Sequence, residues 1–272
     1  MKIKSLFLGL LFCSTMYSFE NKHIVVVTCS FNNIKYFSKN LKSIFSQTYS
    51  NYTLIYIDDC SNDGTYDAVK KYVADNRMED KIVLIHNQDK KTALANLYYG
   101  IHQCRAADII VIVDGDDWLS QEKVISRVNE IYNDSNIWLT YGQFQEYPSE
   151  ERGFCRPYPP HIANNNGFRY FGSTPSHLRT FYAGLFHQIR KEDLMFQGEF
   201  FPTCYDLAIM FPMIEMARKH WKFIPEILLI YNNENPINDH KKDKKIQRKF
   251  DLIIRARTCY NELESLMPPK WK

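Results

Sequence analysis

Short apolar runs alternate with longer amphipathic stripes through the first half of the chain. Residues 23–28 (HIVVVT) form a β-branched run without polar alternation, which predicts a strand covered on both faces. Phe37, Leu41, Ile44 and Phe45 follow at helical spacing, with lysines on the opposite side. The couple recurs three times. Residues 53–57 precede Tyr66, Val69, Tyr72 and Val73; residues 81–85 precede Leu94, Leu97, Tyr98 and Ile101; residues 108–113 (DIIVIV) precede Val124, Ile125, Val128 and Ile131. Four successive strand–helix units predict an α/β fold, with a doubly wound, mostly parallel central sheet and helices on both faces. Beyond Tyr147 the pattern weakens. Residues 157–172 (PYPPHIANNNGFRYFG) read as irregular loops, residues 207–216 as a buried helix, and Ile246, Phe250, Ile253 and Ile254 as the apolar side of a C-terminal helix. Its other side carries six basic residues between Lys241 and Lys249.

The two ends and the composition change this picture in few places. Lys2 and Lys4, an apolar run over 6–12 and polar residues at Ser14, Thr15 and Ser18 predict a signal peptide over residues 1–20. That places the protein in a secretory lumen, the periplasm or outside the cell; the alternative is a retained membrane anchor. No later segment is long and apolar enough to span a bilayer. A hydrophobic share of 45% excludes a disordered chain, and a net charge of +3, from 34 basic and 31 acidic residues, excludes a nucleic-acid partner held by bulk charge. The six cysteines after Cys13 are scattered without zinc spacing, which leaves disulfides and buried thiols both open.

In a doubly wound sheet, ligands bind beyond the carboxyl ends of the strands. The polar residues there are Thr28, then Asp58 and Asp59, then Asp114, Asp116 and Asp117. No glycine-rich phosphate loop is present, and a rim of acids repels phosphate unless a divalent cation stands between them. The alternative is structural: Asp117 caps a helix, and Asp114 and Asp116 satisfy turn amides.

Four segments in order, residues 23–33 (HIVVVTCSFNN), 41–49 (LKSIFSQTY), 56–65 (YIDDCSNDGT) and 109–119 (IIVIVDGDDWL), resemble a family 2 glycosyltransferase of the GT-A fold. The resemblance spans about residues 23–145 strongly and the rest loosely. It implies a nucleotide-sugar-binding half over 21–145 and an acceptor-binding half over 146–272 that ends in the C-terminal helix. Thr28 and Asp59 match positions that hold the uracil and ribose of a UDP donor, with Asp58 a weaker match; an Asx-turn is the structural alternative for Asp59. Asp114 matches the first acid of the Asp-x-Asp element, at ribose or metal-bound water, and Asp116 the second, a ligand of Mn2+ or Mg2+ against the diphosphate. The Arg-bearing stretch of many relatives is replaced here by residues 87–100 (NQDKKTALANLYYG), in which Lys91 or Lys90 would supply the charge near the nucleotide.

Transfer to a hydroxyl acceptor with inversion needs a base. Asp206, at the start of the apolar helical run, is the best match; the family places Glu-Asp there, whereas this chain has Tyr205-Asp206, and Glu199 is the fallback. His240 is expected to complete the metal sphere, with Lys241 and Lys242 near the leaving diphosphate. His177 and Arg179 stand together without an assigned role, Arg179 serving either a phosphate or a loop salt bridge. The resulting expectation is a metal-dependent, inverting, hexosyltransferase-type enzyme moving a sugar from a UDP-sugar to a glycan, protein or lipid. The alternatives are a non-catalytic nucleotide-sugar binder and a sugar-1-phosphate nucleotidyltransferase, the latter disfavoured by the missing glycine-rich, Arg-bearing loop.

Overall fold

A computed structural model describes residues 20–172, 175–238, 241 and 243–266. The expected signal segment (residues 1–19 of it) and His240 lie outside the described residues.

All four predicted units form. Strand β1 (Ile24–Ser30) leads to helix α1 (Phe37–Phe45), β2 (Tyr52–Asp58) to α2 (Thr65–Asp75), β3 (Ile82–His86) to α3 (Ala93–Ile101), and β4 (Ile109–Ile112), after the two-residue β5 (Trp118–Leu119), to α4 (Val124–Tyr132). Val25, Val26, Val27 and all of β4 are buried, as runs without polar alternation require. Each such aliphatic side chain contributes roughly 1.5–3 kcal/mol by leaving water.

The second half extends the same sheet. Strand β6 (Leu139–Tyr147) is followed by the short helix α5 (Pro160–Asn164), β7 (Arg179–Tyr182), helix α6 (Ala183–Phe186), a hairpin of β8 (Met195–Phe196) and β9 (Glu199–Phe200), helix α7 (Tyr205–Ala217), β10 (Trp221–Asn232) and α8 (Lys244–Arg255). The eight-stranded sheet has the order β3-β2-β1-β4-β7-β6-β10-β5. β3, β2, β1 and β4 are mutually parallel, as are β6 and β10, while β7 runs antiparallel to both neighbours and β5 to β10.

This order fixes the site. β1 lies between β2 and β4, so the chain leaves all three at one rim, Ser30 level with Asp58 and Val27 level with Ile112. Gly115 bonds back to the Cys29 carbonyl (3.0 Å) and packs so tightly that an added Cβ would stand 2.8 Å from Asn33 Nδ2 and from Ser30 Cβ. Only glycine lets the acidic turn lie this close to the end of β1.

The rest departs from the periodicity in one respect. The loop read as irregular places Tyr158 and Phe168 in the core, and its Arg169 is buried as well. In α7 every residue from Leu207 to Ala217 is buried, so this helix runs through the interior rather than along the surface.

Candidate active site

Asp58 and Asp59 are both buried at the end of β2 but are used differently. Asp58 Oδ2 accepts from the Ser61 N–H (3.0 Å) and meets His86 Nδ1 at 3.0 Å. Asp58 thus makes the turn contact weighed for Asp59. Asp59 Oδ1 accepts from Asn87 Nδ2 (2.8 Å) and the Lys91 N–H (2.9 Å), and no described hydrogen bond uses its Oδ2. Lys91 therefore touches Asp59 through its backbone, while its exposed ammonium lies 5.5 Å from the Tyr99 ring centre.

Thr28 lies inside β1 rather than at its end, because the strand runs on through Cys29 to Ser30. Its side chain is fully buried and Oγ1 has no hydrogen-bond partner among the described residues. The residue at the rim is Ser30, whose hydroxyl accepts from Asn33 Nδ2 (3.1 Å). Between Thr28 and Ser30, Cys29 has its thiol pushed well up by burial and then by Asp114 and Asp59, which follow the strands β4 and β2 that flank β1.

The three acids of the next turn each meet a different partner. The Tyr205 hydroxyl lies 2.6 and 2.7 Å from the two carboxylate oxygens of Asp114. Asp116 Oδ2 accepts from Asn235 Nδ2 (2.7 Å). Asp117 is fully buried; Oδ1 accepts from the Asn232 N–H (2.8 Å) and Oδ2 has no partner among the described residues. Burial, then Asp116 and Asp114, push its carboxyl well above the usual carboxylate range. Asn40 Nδ2 clamps the turn by donating to the carbonyls of Asp114 and Asp117.

Behind these acids stands one buried cation. Burial works to neutralise Arg179, but Tyr205, Asp206 and Asp114 outweigh it, and the guanidinium stays charged. Its Nη1 donates to the Tyr205 hydroxyl (3.3 Å), and its Nη2 lies 3.4 Å from His177 Nε2 and 3.6 Å from Asp206 Oδ2. Burial and then Arg179 hold His177 well below its ordinary range, so the imidazole is neutral, with Nδ1 unpartnered among the described residues. Asp114, Asp117 and His177 present ligand atoms within 4.8 Å of one another.

Asp206 is the second residue of α7 and not its cap, a position taken by Cys204 in the left-handed region at φ 58°. Asp206 keeps 31% of its side chain exposed, whereas Asp117 is fully buried. The fallback Glu199 is exposed on the β8–β9 hairpin. Among the expected site residues, then, the fold gathers Asp59, Asp114, Asp116 and Asp206 around one rim. The sequence reading missed Tyr205, Asn232 and Asn235, and His177 and Arg179 lacked a role; their partners lie too far along the chain for any local pattern to reveal.

Comparison with known proteins decides what this rim belongs to. The model of the family described as "Glycosyl transferase family 2" matches residues 25–194, more than half the chain. The chain belongs to glycosyl transferase family 2. It is 35% identical over 94 residues to "Putative glycosyltransferase EpsE" of Bacillus subtilis (35% of this chain, 33% of that one), and 26% identical over 131 residues to glycosyltransferase GlyG of Streptococcus pneumoniae (48% and 42%). The chain thus spans less than half the length of these curated relatives. Among solved structures it is similar to S. aureus TarS 1–349 in complex with UDP-GlcNAc, with a TM-score of 0.59, 14% identity and coverage of 81% of this chain and 61% of that one. It is also similar to mannosyltransferase PcManGT from Pyrobaculum calidifontis in complex with GDP-Man and Mn2+, with a TM-score of 0.58, 17% identity and coverage of 86% and 62%. These likenesses establish the GT-A fold expected from the sequence.

Proposed function

We propose that this family member transfers a sugar from a nucleoside-diphosphate sugar, a UDP-sugar, to an acceptor hydroxyl with inversion at the anomeric carbon. The observation that carries the reading is the shared rim: Asp59, Asp114 and Asp116 at the ends of β2 and β4, with Asp206 and Arg179 beside them. Two neighbours of the same fold are complexes with UDP-GlcNAc and with GDP-Man and Mn2+, which supports the donor class.

Asp59 offers Oδ2 to the pyrimidine N–H or ribose, and Asp114, fixed by Tyr205, takes the ribose side. Thr28 contributes by packing under the base, since its hydroxyl is enclosed; Lys91 lends its backbone to Asp59 and its charge to the nucleotide. The donor set at the acidic turn fits Mn2+ or Mg2+: hard carboxylate oxygens, an orphaned buried oxygen on Asp117 and a neutral imidazole nitrogen. Asp116, with Asp114, Asp117 and His177, would hold the ion. When bound, it supplies positive charge against the diphosphate. His240 remains a further proposed ligand.

Asp206 accepts the acceptor's proton as the acceptor oxygen bonds to the anomeric carbon and the bond to the diphosphate breaks. Its partly exposed carboxylate, 3.6 Å from Arg179 Nη2, suits that role. The test is nucleoside diphosphate release across a donor panel in Mn2+. Asp206→Asn is expected to bind UDP like wild type and to lose transfer by at least a hundredfold, whereas Asp116→Ala weakens Mn2+-dependent UDP binding. Donor binding without turnover in wild type identifies a binding protein instead, and equal turnover in all three removes the assigned roles.

A further inference from the structure

Eight of the 34 Lys and Arg of the chain fall in residues 241–257, against two of its 31 acids, so the remaining chain is net acidic although the whole is net basic. Most of this segment is α8, which buries Phe250 and Ile254 against the body of the protein and turns Lys244, Lys245, Arg248 and Lys249 outward. No carboxylate among the described residues pairs with Lys244, Lys245 or Arg248, whereas Arg255 is tied down by Asp251 at 2.8 Å. The basic face is not purely polar. Leu252, 58% exposed, lies among these cations, Ile246 is 47% exposed at its flank, and Tyr170, 82% exposed, shares with Leu252 a groove of about 550 Å3 that Phe171 and Arg255 also line.

We infer that α8 and the adjoining Tyr170–Phe171 segment form a surface that rests on a bilayer bearing anionic headgroups. A row of unpaired Lys and Arg is attracted to such a surface, each charge strengthening binding about fivefold near it. Exposed Leu, Ile and Tyr beside the cations suit the headgroup–acyl boundary, whereas contact with a nucleic-acid backbone gains nothing from them. No helix among the described residues is long and apolar enough to cross a membrane, so this contact is peripheral. The surface also faces usefully: the Cys204 thiol donates to the Gln247 carbonyl at 3.4 Å, which joins the first half of α8 to the start of α7, two residues before Asp206. The inference stands on charge and exposure and does not need the transfer reading.

The test is co-sedimentation of the full chain with vesicles of phosphatidylcholine alone and of phosphatidylcholine with 30% phosphatidylglycerol, across a salt series. Wild type is expected on the anionic vesicles only, less so as salt rises. Lys244→Gln/Lys245→Gln/Arg248→Gln should lower the partition roughly a hundredfold, and Leu252→Ser several-fold. Both variants should bind UDP as wild type does, which checks their folding and separates this result from any failure of the enzymatic proposal. Equal binding to neutral vesicles, or a triple variant that still partitions fully, overturns the inference by assigning the contact to the apolar N-terminal run. A wild type that ignores vesicles but binds poly(U) through these lysines overturns it in favour of nucleic acid.

Discussion

At the scale of single residues, Tyr205 is where this chain departs most from the Glu-Asp expected before the base. A glutamate there would stand against Asp114 as a second negative charge. The phenol instead reaches both oxygens of Asp114, and burial, then Asp114, raise its own ionisation well above the usual range, so it donates at any pH of interest. Arg179 donates to the same hydroxyl from behind, which polarises it toward Asp114. Removing that hydroxyl leaves the ring in place and takes one hydrogen bond from a carboxylate, an interaction of about 1.5–3 kcal/mol. Tyr205→Phe is therefore expected to weaken UDP binding about tenfold, measured by titration calorimetry, with little change in far-UV dichroism. An unchanged affinity would show that backbone contacts alone orient Asp114.

At the scale of elements, β1 and β4 are locked together where they begin. Asp108 accepts from the Arg105 N–H (2.8 Å), from its Nε and Nη2 (3.0 and 2.7 Å), and meets His23 Nδ1 at 3.0 Å. Burial raises the Asp108 carboxyl, but the Arg105 and His23 contacts outweigh it and hold it below the usual range. A depressed carboxylate contributes stability above the unfolded value, about 3.9, and loses it as pH falls through the folded value. Asp108→Asn is expected to cost about 1–3 kcal/mol at pH 7, discounted because the Arg105 side chain is 74% exposed. In thermal melts the gap between the two proteins should narrow as pH falls under about 4 and close below the depressed folded value of Asp108; a gap unchanged through that range would assign the loss to packing. The strand pairing that Asp108 secures was legible in the sequence, because buried parallel strands leave unbroken β-branched runs and their helices leave stripes. Where each strand stops was less so. Thr28 reads as a strand end by composition, yet Ser30 holds that place, since Cys29 and Ser30 continue the ladder to Asp58. The acids of the rim were legible for the same reason as the strands, being the polar residues that interrupt apolar runs. Asn235 on Asp116 and Tyr205 on Asp114 were not, since those contacts span 119 and 91 residues.

At the scale of the whole molecule, the second half of the chain depends on an ion pair that no surface pattern announces. Arg169 and Glu215 are 2% and 0% exposed and meet in a double contact, Nε–Oε1 at 2.5 Å and Nη2–Oε2 at 2.9 Å. Arg169 Nη1 also reaches the Ile254 carbonyl of α8, and Glu215 accepts from the Tyr260 N–H (3.0 Å), so one pair joins the 168–170 turn, α7, α8 and the segment that follows. α7 begins at Tyr205 and Asp206, which makes this pair a remote support of the proposed active-site rim. Two ions out of water are expensive, and the pair offsets that cost only while both members and their backbone partners are present. Glu215→Ala would leave a buried guanidinium with one carbonyl, a loss of about 3–5 kcal/mol. For a chain of this length that corresponds to a fall in melting temperature on the order of ten degrees. Arg169→Met/Glu215→Leu removes both charges and should recover most of the difference, because apolar side chains of similar volume do not carry the desolvation cost. Calorimetric melts of the two variants separate the accounts: if the double variant melts as low as Glu215→Ala, the pair's hydrogen bonds to Ile254 and Tyr260 hold the half together rather than its balance of charge.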